Sequence, residues 1–158
     1  MRKLLGIVVF SFLRSSISFA ELITLTKCYI TDRKATNKES ELSFKSFKQQ
    51  IADSRTLYEN KLYTLDTVTE TITQTTVFKE SFIEQERKSG RFIKKHSKII
   101  FKIIDLGGNV ATAEDINLGS FTKKNTIDVD FVSNKVYRYY EDNYGTKISD
   151  TEKCKRQK

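Results

Sequence analysis

The feature that most restricts the fold of this chain is an alternation of residue types with period two. Between Thr67 and Phe78, Thr67, Thr69, Thr71, Thr73 and Thr75 share one parity, while Val68, Ile72 and Phe78 share the other. Thr126 to Val132 repeats the pattern, with Ile127, Val129 and Phe131 set against Asp128 and Asp130. Successive side chains of a strand point to opposite faces, and β-branched residues suit a pleated, half-buried surface. Strands joined in parallel need crossovers of a dozen or more residues, usually helical. Only Leu42 to Ala52 offers a helical stripe, through Phe44, Phe47 and Ile51. The expected class is therefore mostly β: an antiparallel meander closed as a small barrel or sandwich, with one short helix near residues 42–52.

The other segments fill in that outline. Leu22 to Ile30 is β-rich, and Thr31 to Ser40 is polar and reads as a loop. Leu57 to Leu65 reads as a strand with a turn at Asn60-Lys61, whereas Ser81 to Glu86 is ambiguous. Ser89-Gly90 reads as a turn, Phe92 to Ile104 as a long strand, and Gly107-Gly108-Asn109 as the turn into a partner strand, Val110 to Ile116. Asn117 to Gly119 turns again, and Ser133-Asn134 is the tightest turn, leading into a strand from Lys135 to Tyr140. The residues beyond read as a short polar tail. On this face assignment Arg138 falls on the apolar side, so either its stem is buried with its head in solvent or the register is off by one.

Residues 1–20 have the layout of a secretory signal peptide. Met1-Arg2-Lys3 is basic, Leu4 to Leu13 is apolar apart from Gly6 and Ser11, and Ser18-Phe19-Ala20 supplies small residues for cleavage before Glu21. A helix of that apolar run would be about 15 Å long, half a bilayer core. The expectation is an exported, periplasmic or secreted bacterial protein with one domain spanning residues 21–158. Elsewhere no run of about 18 apolar residues occurs, which excludes an internal transmembrane helix. Removing residues 1–20 leaves 25 basic against 20 acidic residues, a moderately basic domain.

Export decides how the two cysteines read. In an oxidising compartment two lone thiols in one domain usually pair, so Cys28 and Cys154 are expected to form a disulfide rather than remain free. Two Cys and one His exclude a zinc site built from those residues alone. The leader Met1 to Val9, the first strand Leu25-Thr26-Lys27-Cys28-Tyr29-Ile30, and the tail ending Lys153-Cys154-Lys155 carry a resemblance. They resemble small exported proteins of unknown function from AT-rich marine alphaproteobacteria. That resemblance implies a small periplasmic β-domain with an end-to-end disulfide, and it implies no activity.

No motif points to catalysis. His96 is the only His, lies among Lys94, Lys95 and Lys98, and has no Gly-x-Ser-x-Gly nucleophile to serve. Gly107-Gly108-Asn109 lacks the Lys-Ser/Thr of a phosphate loop. Asp128 and Asp130 share a strand face with Tyr137 and Tyr139 of the next strand, a poor donor set for a hard cation. No cofactor, metal or enzymatic role is expected. The threonine row resembles an ice-binding rank but has no stacked repeat, so β-propensity accounts for it.

The stretch from Arg87 to Lys102 stands apart, with seven basic residues and no acid. As a strand it would set Lys94, His96, Lys98 and Lys102 on one face and Ile93, Ile99, Phe101 and Ile103 on the other. Arg91, Lys94, Lys98 and Lys102 are the candidate contacts for an envelope polyanion. The competing explanation is that lysines on an edge strand block edge pairing. The expected function is a non-catalytic envelope binding or interaction module. The alternatives are a lipocalin-like carrier of a small apolar ligand, with an internal cavity, and an enzyme inhibitor.

Overall fold

The computed structural model describes residues 22–35 and 57–157. Eight strands run in chain order: β1 Leu22–Ala35, β2 Tyr58–Asp66, β3 Thr71–Phe78, β4 His96–Gly107, β5 Val110–Asp115, β6 Thr122–Asp130, β7 Lys135–Asp142 and β8 Lys147–Arg156. Each pairs antiparallel with its neighbour, and β8 pairs with β1, so the meander closes into a barrel. One helix, α1 (Glu80–Lys88), lies between β3 and β4. The expected helix near residues 42–52 and the signal segment 1–20 lie outside the described residues.

The barrel has two unlike ends. At one, β2–β3, β4–β5 and β6–β7 are joined by tight turns. Positive φ there falls on Glu70 (52°), Gly108 (61°) and Asn134 (53°). With no proline and few glycines, aspartates at strand ends organise the turns. Asp66 Oδ1 accepts from the amides of Val68 and Thr69, and Asp130 Oδ1 from those of Val132 and Ser133. At the other end lie the connection through α1, the loop between Asp115 and Thr122, and the turn between Asp142 and Lys147, where Asp142 plays the same part toward Tyr144 and Thr146.

Alternation decides what enters the lumen. Leu25, Leu65, Ile72, Phe101, Ala111, Ala113, Ile127, Val129 and Val136 form a core whose members are 2% exposed or less. The Cys28–Cys154 disulfide joins this core and ties β1 to β8, where the barrel closes. Leu25 and Cys28 both point inward although three residues apart. A bulge between Thr26 and Tyr29, with Lys27 at φ 53°, supplies the extra residue.

Several expectations need correction. The polar tail is β8, which closes the barrel; its inward positions are Asp150, Glu152 and Cys154, so it carries almost no apolar signal. β1 continues to Ala35 through the polar stretch expected to be a loop, because it pairs with β8. Thr67 and Thr69 lie in a turn, and β3 begins at Thr71. Asn60-Lys61 is not a turn; the ladder there shows only a shift between Tyr58 and Asn60. The ambiguous Ser81 to Glu86 is helical, burying Ile83 and Glu86. β4 starts at His96, so Phe92 to Lys95 belong to the connection and Lys94 is off the strand.

Candidate functional site

Two groups of charged side chains come out of this framework, one inside the barrel and one outside. The inner group occupies the end of the lumen away from the tight turns, on the same parity as the apolar core. Arg138 lies opposite Ile127 on one side and Asp150 on the other, and Asp150 lies opposite Arg33. Arg138 therefore points inward with the register as expected from sequence, and it does so because the lumen there is polar. Its Nε donates to Asn125 Oδ1 at 3.0 Å and its NH1 to Gln74 Oε1 at 3.4 Å. Asn125 in turn donates to Asp115 Oδ2 at 2.8 Å. Arg33 meets Asp150 through both Nε and NH2.

At the centre of the group, Lys61 Nζ donates to Glu152 Oε1 at 2.5 Å, with Glu152 fully buried and Lys61 6% exposed. The Tyr63 hydroxyl lies 3.1 Å from Glu152 Oε2 and 3.3 Å from Gln74 Oε1 and can donate to one at a time. Burial pulls the Lys61 ammonium below its ordinary pKa of 10.5, with Glu152 opposing the shift. Burial and then the Glu152 charge push the Tyr63 hydroxyl well above its ordinary 10.0. Tyr58 is raised for the same two reasons. Lys61, Tyr63, Glu152, Gln74, Asn125 and Arg138 each have a partner, so the arrangement is a satisfied polar network filling one half of the lumen. The sequence carried one signal of it: Lys61, Gln74, Asn125, Arg138, Asp150 and Glu152 all sit at core-facing parity.

The outer group is on β4 and the connection that precedes it. His96, Lys98, Ile100 and Lys102 face outward, while Ile99, Phe101 and Ile103 face inward. Ile100 occupies the place between Lys98 and Lys102, so those two lysines are about 13 Å apart along the strand. Their cross-strand neighbours on β3 are threonines: Lys102 lies opposite Thr71, Ile100 opposite Thr73 and Lys98 opposite Thr75. On β5, Lys102 lies opposite Glu114.

The candidate cations separate by partner. Arg91 is held by Glu86 at 2.7 Å, an ion pair made across the end of α1. Lys95 is 3.6 Å from Glu80. Lys94, Lys98 and Lys102 are exposed and make no ion pair among the described residues. Lys94, His96 and Lys98 line a groove of about 480 Å³ together with Phe78, Phe92, Ile93 and Ser97. Sequence reading missed Phe92, which is 85% exposed, because it took the residue as the start of a strand.

The remaining candidates are placed as follows. His96 is exposed beside these lysines, opposite Val77. Asp128 accepts from Thr112 Oγ1 at 2.7 Å and lies opposite Tyr137, whereas Asp130 serves its turn. No group of three or more His, Cys, Asp or Glu among the described residues could hold a metal ion, and no described helix is long and apolar enough to cross a membrane. No protein-family model matches this chain, and neither a curated protein nor a solved structure matches it.

Proposed function

We propose that this chain is a non-catalytic binding module of the bacterial envelope that docks a polyanionic surface on the outer face of β4. Lys94, Lys98 and Lys102 would make the contacts, with Arg91 in a lesser role because Glu86 neutralises it. The observation that carries this reading is the position of β4 in the barrel. It is paired with β3 on one side and β5 on the other, so it has no edge to protect. Edge protection therefore does not account for its lysines. A row of exposed cations that make no ion pair among the described residues attracts negative charge at long range and is screened by salt. Export through residues 1–20 would bring such a surface to envelope polymers and lipids.

The carrier reading has less support. Holding a small apolar ligand requires a cavity of about 300 Å³ or more. Here Tyr63, Leu65, Phe101, Ile72 and Ile127 fill one part of the lumen and the ionic network fills the other.

The test is retention on immobilised heparin as a generic polyanion. The native protein should be retained at about 20 mM salt and released as screening rises. Lys94→Glu with Lys98→Glu should abolish retention while the circular dichroism spectrum stays native. Failure of the native protein to bind at low salt sinks the proposal.

A further inference from the structure

The groove beside the lysines holds more than charge. Phe92 stands 85% exposed, Ile100 38% and Ile116 53%. Ile100 sits between Lys98 and Lys102 on the outer face of β4. The Ile116 amide donates to the Ile100 carbonyl at 3.4 Å, which places Ile116 beside it at the start of the β5–β6 loop. Phe92 and Lys94 line the same groove as Lys98. The result is a surface on which large apolar side chains and unpaired lysines are interleaved.

A soluble linear polyanion uses the lysines and leaves the apolar members in water. An anionic bilayer uses both. Its headgroups attract lysine, and its acyl boundary takes an aromatic side chain that stands clear of the protein. Scattered exposed apolar residues are ordinary on protein surfaces, but apolar groups rimmed by polar residues mark interaction sites. Here Phe92 lies beside Lys94 and Lys98, and Ile100 lies between Lys98 and Lys102, with Glu114 opposite Lys102. Resting on the polyanion reading above, we infer that the ligand is the surface of an anionic lipid bilayer. In this arrangement Phe92 inserts at the headgroup–acyl boundary, Ile100 and Ile116 lie against the surface, and Lys94, Lys98 and Lys102 contact the headgroups. The contact is peripheral, since one aromatic side chain and a few lysines give reversible attachment.

The chain contains no tryptophan, so Phe92→Trp introduces a single indole reporter at the point of insertion. The experiment compares vesicles of phosphatidylcholine alone with vesicles containing about one third phosphatidylglycerol, a composition that sets a negative surface potential. Expected with the anionic vesicles only are a blue shift of the indole emission and its quenching by brominated acyl chains. Phe92→Ala should weaken sedimentation with anionic vesicles about tenfold, as burial of an aromatic side chain implies, and leave heparin retention unchanged. Sedimentation of native protein with the two vesicle types checks the dependence of binding on headgroup charge without the reporter. If the protein binds anionic vesicles but the indole emission stays at its free value, insertion is overturned and charge attraction stands. If it is retained on heparin but ignores vesicles, the lipid assignment is overturned and a soluble polyanion is the ligand. An equal response to both vesicle types overturns the role of headgroup charge. If it binds neither heparin nor vesicles, the underlying polyanion reading fails as well.

Discussion

Charge is used in opposite ways inside and outside this barrel. The lumen holds Arg33, Lys61 and Arg138 with Asp150 and Glu152, and each of these is paired or hydrogen-bonded within the fold. The outer face of β4 holds Lys98 and Lys102, and the adjoining connection holds Lys94, with no ion pair among the described residues. The two sets differ in dielectric surroundings. In the lumen an uncompensated charge would cost several kcal/mol, so geometry and pairing are tightly coupled. On the surface water solvates each lysine, so the fold gains little by pairing it and loses little by leaving it free. The inner charges therefore belong to the structure, and the outer ones are available to a ligand.

The largest effect should come from breaking the inner set on one side only. Glu152→Ala leaves Lys61 buried without its carboxylate, and should cost about 3–5 kcal/mol, the usual penalty for a buried charge that loses its partner. Removing both charges at once should cost less than removing one. In Lys61→Met with Glu152→Leu, Tyr63 can still donate to Gln74, so no buried hydroxyl is orphaned. Chemical denaturation of the three proteins measures this. A double variant less stable than Glu152→Ala would mean that the ion pair itself, rather than its mutual compensation, holds that half of the lumen together.

The next effect concerns pH. Tyr63 has a folded pKa raised well above 10.0, so its contribution is fully present below pH 10 and is lost as pH rises through the folded value. Tyr58 acts in the same direction. Lys61 has the opposite sign: with its folded pKa below 10.5, stability rises with pH until 10.5 and is flat above it. Above 10.5 only the tyrosine slope remains of these three, and stability should fall. Spectrophotometric titration should show most tyrosines ionising gradually and a further fraction ionising only with unfolding. If every tyrosine titrates while the far-ultraviolet dichroism remains native, Tyr63 is not sealed in the lumen.

How much of this was legible in the sequence depends on parity. The β class, the antiparallel meander and the Cys28–Cys154 pairing were readable, because alternation and cysteine count are local signals. The identity of the closing strand was not, because β8 carries Asp150 and Glu152 where an apolar pattern would be expected. A strand whose inward side chains enter a polar lumen looks like a hydrophilic tail. Arg138 was the one residue whose anomaly showed, since its neighbours Val136 and Ile127 fixed its face. The lysines were noticed through an acid-free run in sequence, but only pairing on both sides of β4 removed the edge-protection account. Phe92 was misplaced because a β-prone residue in a connection is indistinguishable from one in a strand until the ladder end is known.

The smallest effect should come from the outer set, and its smallness distinguishes the two regions. Lys98 lies opposite Thr75 and makes no ion pair among the described residues, so Lys98→Glu breaks none of those pairs. Lys102 lies opposite Glu114, and Lys102→Glu would set two carboxylates against each other across the β4–β5 ladder, a mildly destabilising arrangement. In the absence of ligand, Lys98→Glu should leave the melting temperature within about 2 °C of native, as surface substitutions generally do, and Lys102→Glu should fall somewhat below it. Adding a polyanion should then separate the proteins. A ligand that binds only the folded state at 100 times its Kd stabilises it by about 2.7 kcal/mol, so the native melting temperature should rise by several degrees and that of Lys98→Glu by less. The unliganded measurement tests the division between inside and outside, and the liganded one tests its use. A loss of more than about 5 °C for Lys98→Glu without ligand, well beyond the usual surface range, would place this lysine among the groups that hold the barrel together and erase the distinction.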